Sequence, residues 1–150
     1  MKEQLLDAWR THNSHTLLLV DNIDDEGMQK TLSTRGGRTV YLQLVHIDNV
    51  RLQWLEIISG SAKKQAKPLL KPDRKALKQA LESSSKSIEE FIDKSWENGG
   101  TVKSFKKGLI PFIAYLISHE SHHRGNILLT LKQSGVKIND KLKWGIWEWK

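Results

Sequence analysis

Apolar residues recur along this chain at spacings of three and four, the mark of helices that each bury one face. From Lys2 to Asn22 the stripe is Leu5, Leu6, Trp9, Asn13, Leu17 and Val20. A second predicted helix runs from about Thr39 to Ile58, where Leu42, His46, Val50, Trp54 and Ile57 share one side. Asp73, just after Pro72, is a predicted N-cap for a third, striped by Leu77, Leu81, Ile88, Phe91 and Ile92 and stopped at Asn98-Gly99-Gly100. Pro111 suits the first turn of a fourth, which runs to about Gln133 and ends at Ser134-Gly135. Its stripe is Leu109, Phe112, Ile113, Leu116, Ile127 and Leu131.

No stretch alternates as a strand would, so the predicted class is all-α. Four amphipathic helices make a four-helix bundle the economical architecture, as a single domain over residues 1–150. The connection from Ser59 to Pro72 has about a dozen residues and extends at most ~40 Å, enough to run the length of a bundle. It predicts a long crossover between the second and third helices, which then lie parallel. The aromatic tail Trp144-Gly145-Ile146-Trp147-Glu148-Trp149 is expected to pack back onto the bundle.

The chemistry concentrates in His119-Glu120-Ser121-His122-His123-Arg124-Gly125. On a helix His119 and His123 lie one turn apart and point the same way, as two nitrogens must to hold one metal ion. They continue the apolar stripe of the fourth helix and so are expected to face inward, where unpartnered imidazoles are costly. A metal relieves that cost by accepting a lone pair from each neutral ring. With six histidines in the chain, chance alone supplies ~0.2 pairs at this spacing, so the pair by itself carries little weight. His46, in an apolar helical segment, supplies the third candidate nitrogen.

His122 falls off the His119–His123 line and reads as a supporting or exposed group. His12 and His15 read as polar surface of the first helix. Asn49 and Gln53 are candidate supporting hydrogen-bond partners beyond His46, and Gly125 is expected at a close helix–helix approach. The run also matches H-E-x-x-H, in which Glu120 would be the general base of a metal-dependent hydrolase. Polar Ser121 and His122 between the two ends, and the lack of any later histidine, argue against that; Glu148 is a remote alternative ligand. Glu120 and Arg124 remain the candidate catalytic residues, Arg124 as an anion anchor, as a cap on a carboxylate behind the site, or as a surface group.

Composition narrows the setting. There is no cysteine, so disulfides and protein thiolates are excluded and a metal must be held by histidine and carboxylate. No apolar run approaches the ~20 residues of a membrane span, and MKEQLLDAWR is not a signal peptide; a cytoplasmic protein without membrane contact is expected. The net charge is +7, with lysines crowded between Lys63 and Lys78 and again at Lys103, Lys106 and Lys107. A solvated face is the favoured reading, and a non-catalytic basic binding module the alternative. Nucleic acid is disfavoured, because no binding motif and little interleaved aromatic character accompany the charge.

These residues resemble the DinB/YfiT-like family of metal-binding four-helix-bundle proteins. Leu44-Val45-His46-Ile47 followed by Trp54-Leu55 is similar to the family's second-helix pattern. Ser118-His119-Glu120-Ser121-His122-His123-Arg124-Gly125-Asn126-Ile127 is similar to its most distinctive motif, and Gly145-Ile146-Trp147-Glu148-Trp149 to tails within it. The resemblance spans nearly the whole chain. It implies a bundle with a crossover, a homodimer, and a divalent metal (zinc or nickel) on His46, His119 and His123. Asn126 stands where the family usually has glutamine. Relatives of this kind include S-transferases that use a low-molecular-weight thiol, which implies a small-molecule substrate and a thiol cofactor.

Overall fold

The computed structural model of the chain describes residues 1–60 and 73–149. Six helices follow one another: α1 Lys2–Asn22, the short α2 Asp25–Met28, α3 Val40–Ser59, α4 Arg74–Glu97, α5 Leu109–Gln133 and the short α6 Asp140–Gly145. The described residues contain no strand. The four long helices are the four read from the apolar spacing. The side chain of Asp73 accepts from the Ala76 N–H at 2.9 Å, as an N-cap must. Thr39 caps α3 through the Leu42 N–H at 3.2 Å.

Helix directions follow from the contacts between side chains. Along α1, Lys2 meets Asp93, Arg10 meets Glu89 and Asp21 meets Lys78, so α1 and α4 run antiparallel. Arg51 reaches Leu81 and Ser84, while Leu55 and Ile58 line the same cavity as Ser87 to Ser95, so α3 and α4 run parallel. His46 lies against His119 and His123, and Trp54 against Phe112, so α3 and α5 are antiparallel. The parallel α3–α4 pair is what the crossover expectation required. The connection itself, 61–72, lies outside the described residues, as does most of the first lysine cluster.

The core has two apolar halves. One gathers Leu19, Val20, Leu44, Leu81, Ile127 and their neighbours; the other Leu6, Trp9, Leu55, Ile88, Phe112 and Leu116. Between them every long helix turns polar inside: His12, Asn13 and Thr16 on α1, Asp48 and Arg51 on α3, Ser84 and Ser85 on α4, Glu120 on α5. This layer changes the α3 assignment. Its buried stripe is Tyr41, Leu44, Val45, Ile47, Asp48, Arg51 and Leu55, while His46 and Val50 are half-buried and Ile57 is exposed.

One further expectation is corrected. A Cβ on Gly125 would meet nothing within 4 Å, so this glycine lies at no helix–helix approach. The close approach is at Gly145, where a Cβ would come 2.6 Å from Leu18 Cδ2 as α6 crosses α1. The tail packs back onto the bundle, Ile146 against the core and the Trp149 ring 6.0 Å from that of His15, while Trp144, Trp147 and Trp149 keep 60%, 73% and 65% of their surface exposed. No helix among the described residues is long and apolar enough to cross a membrane.

Candidate metal centre

His46 comes from the middle of α3, and His119 and His123 from consecutive turns of α5. The antiparallel pair brings the three rings to one level, beside the buried polar layer. Ring centroids stand 5.3 Å apart for His46–His119 and 4.8 Å for each of the other two pairs. One nitrogen from each lies within 4.8 Å of the other two. All three rings are half-buried, so the group opens sideways between α3 and α5 rather than into the centre of the bundle.

The rings are neutral and rich in lone pairs. Burial lowers the pKa of each. For His123 the neighbouring His119, His46 and His122, then Arg38, push it further, to about 4. Burial and the charge of Arg38 act in the same sense on His46 and His119, outweighing the opposite pull of Glu120 on His119. His119 Nδ1 is buried with no hydrogen-bond partner among the described residues. Neutral rings that converge, one with an orphaned nitrogen, are the donor set a divalent metal satisfies. Gln43 Oε1 lies 3.4 Å from His123 Nδ1. If Nδ1 carries the proton and donates it there, Nε2 is left with its lone pair free, the usual way an outer residue orients a ligand histidine. Sequence reasoning missed Gln43, which precedes His46 by one helical turn. Asn49 is half-buried and Gln53 exposed.

His122 is exposed, its Nε2 accepting from Asn126 Nδ2 at 3.1 Å. The Asn126 departure therefore touches His122 and leaves the three-histidine group alone.

Glu120 goes elsewhere. One helical step from His119, it points into the polar layer, where it is 1% exposed. Arg51 grips both its oxygens, Nε to Oε1 at 2.7 Å and Nη2 to Oε2 at 2.6 Å, and His12 Nε2 lies 2.8 Å from Oε2. Burial alone would raise its pKa, but the charge and hydrogen bonds of Arg51, with the bond from His12, hold it at about 2. A carboxylate so committed is a poor general base. Glu148 lies on the α1 side, its backbone carbonyl 2.9 Å from His15 Nε2.

The surface assignments of His12 and His15 are corrected: they are 1% and 4% exposed. Arg124 is no surface group: it joins the Glu120 network through His12. Its Nη1 lies 3.2 Å from His12 Nδ1 and its Nη2 donates to Ser121 Oγ at 3.1 Å. A guanidinium has only donors, so Nδ1 must accept and Nε2–H must donate to Glu120. Burial lowers the His12 pKa despite the bond to Glu120, in keeping with a neutral ring. Arg51 Nη1 also reaches Asn13 Oδ1 at 2.9 Å and the Leu81 carbonyl at 3.1 Å. This network, rather than the histidine group, takes up Glu120 and Arg124 of the motif.

An all-helical bundle with an open three-histidine group on its flank defines a class, and the sequence places the chain within it: the DinB family model matches residues 1–140, and the protein belongs to that family. In structure the chain is similar to a DinB-like protein from Bacillus cereus ATCC 10987, with a TM-score of 0.69 at 20% identity, covering 91% of this chain and 95% of that one. At that identity the likeness bears on the fold. No curated protein shows significant similarity to the chain.

Proposed function

We propose that this protein is a metal-dependent enzyme in which His46, His119 and His123 hold a zinc or nickel ion, with S-transfer from a low-molecular-weight thiol to a small-molecule electrophile as the reaction. The observation that carries the reading is the convergence of three neutral imidazoles, with His119 Nδ1 left without a partner. When bound, such an ion supplies a Lewis acid with open positions, which lowers the pKa of a thiol or water placed on it. The chain's own residues orient the His123 ring, through Gln43, and cover one side of His119, through the stacked Tyr115 ring 6.4 Å away.

The hydrolase alternative relies on Glu120 as base, and the grip of Arg51 and His12 on that carboxylate counts against it. A thiol activated by the ion needs no such base. The reading extends to a homodimer, favoured by apolar Ile110 and Leu129 left exposed on α5.

The test is metal analysis of protein purified without a nickel column. One zinc or nickel per chain is expected, lost in His123→Ala, and thiol-dependent turnover that Glu120→Gln does not abolish if the variant folds. No metal in the wild-type chain, with no uptake on adding either ion, overturns the reading.

A further inference from the structure

A cavity of about 380 Å³ opens beside the histidine group, walled by Arg38, Gln43, His122, His123, Asn126 and Thr130 with a few neighbours. His123 belongs to both and Gln43 reaches it at 3.4 Å, so a molecule in the cavity meets the group at its His123 side. The volume suits a small molecule.

The walls are one-sided in charge. No aspartate or glutamate is among the lining residues, and Arg38 supplies a full positive charge from the loop that leads into α3. Arg38 is exposed. Its guanidinium makes no hydrogen bond or ion pair with a described residue, although its charge is felt by all three histidines. Glu120, the next residue to His119, is committed to Arg51. An ion held by neutral rings beside an unpaired guanidinium thus leaves several positive charges with no acid on the cavity wall to balance them.

We propose that this cavity binds the oxyanion of a small-molecule ligand, a carboxylate or phosphate group, and that Arg38 is the residue that selects for it. The proposal rests on the metal reading for its inner end. A guanidinium offers two parallel N–H donors that match either oxyanion, and the adjoining ion supplies attraction from the other side. The Asn126 amide, on the cavity wall, can donate its second N–H to the same group. The ligand's negative charge would then decide which molecules reach the ion.

Cobalt-loaded protein, titrated with phosphate and separately with acetate and followed by its visible spectrum, tests this. Wild type should show a saturable change with at least one of the two. Arg38→Gln should bind that anion about tenfold more weakly or worse, consistent with the loss of a charge-assisted pair, with cobalt affinity undiminished. Arg38→Lys should recover part of the loss. Equal anion affinity in wild type and Arg38→Gln, or no response of the wild type to either anion, overturns the proposal alone. A wild-type chain that takes up no cobalt overturns the metal reading and this proposal with it.

Discussion

Glu120 and His119 are chain neighbours with opposite fates. His119 stays on the flank and keeps a free nitrogen, whereas Glu120 enters the centre of the bundle and is bound by Arg51 and His12. The buried pair makes a firm expectation about stability. Breaking one partner of such a pair leaves an uncompensated buried charge and costs about 3–5 kcal/mol, so Glu120→Gln should lower the denaturation free energy by that order. The pH dependence has a definite sign. The folded pKa of Glu120 is depressed from 4.5 to about 2, so its contribution is complete above the unfolded value and is lost as pH falls toward 2. His12, lowered by burial, acts in the same direction, its contribution fading as pH falls below 6.5. Urea titrations across this range should show the wild type losing stability faster than Glu120→Gln below pH 4.5. Parallel loss in the two would remove Glu120 from this role. Asp48 is the untidy member of the layer: burial raises its pKa despite Ser84 and Arg51, and its Oδ1 has no partner among the described residues.

At the scale of elements, α5 carries two different tasks on adjacent strips of one surface. The strip through Leu116, Glu120, Ile127 and Leu131 is core; the strip through His119 and His123 faces α3 at the edge. Gly125 serves neither, lying exposed with open space around it. Within the folded chain its replacement by alanine should therefore stabilise α5 by about 1 kcal/mol, the usual difference in helix propensity. Gly145 should gain less, because the new methyl would meet Leu18 Cδ2 at 2.6 Å and that side chain must shift to admit it. Thermal denaturation of the two alanine variants checks the order, with Gly125→Ala the more stable. A loss of stability in Gly125→Ala would show that something in the native assembly occupies that space.

At the scale of the molecule, the three histidines tie α3 to α5 across the flank of the bundle, at the level where the apolar core is interrupted by the polar layer. An ion held there joins two helices that are far apart in the chain and binds the folded form in preference to the unfolded one. Zinc or nickel at 100 times its dissociation constant should add about 2.7 kcal/mol of stability. Calorimetry with and without metal should show this for the wild type and not for His46→Ala, which removes the α3 side of the bridge. Stabilisation that survives in His46→Ala would place the ion elsewhere.

Much of this was legible in the sequence because helix periodicity is local. The four long helices, the Asp73 cap and the all-α class follow from residues close to one another in the chain. The metal candidates were legible too, since His119 and His123 meet by helical spacing alone and His46 stands out in an apolar stretch. The polar layer was not. An apolar stripe is at least about 100° wide and neighbouring residues differ by about 100°, so the pattern that turned His119 inward was one helical step off, and Glu120 takes the inner position. The signal that was there is the interruption of each apolar stripe at mid-helix: His12 and Asn13, Asp48 and Arg51, Ser84 and Ser85, Glu120. What those residues do depends on partners 69 and 108 positions away. Only the packing of α1, α3, α4 and α5 against one another brings Arg51, Glu120 and His12 together, and once they fill the centre the three histidines are left at the edge, open to a ligand.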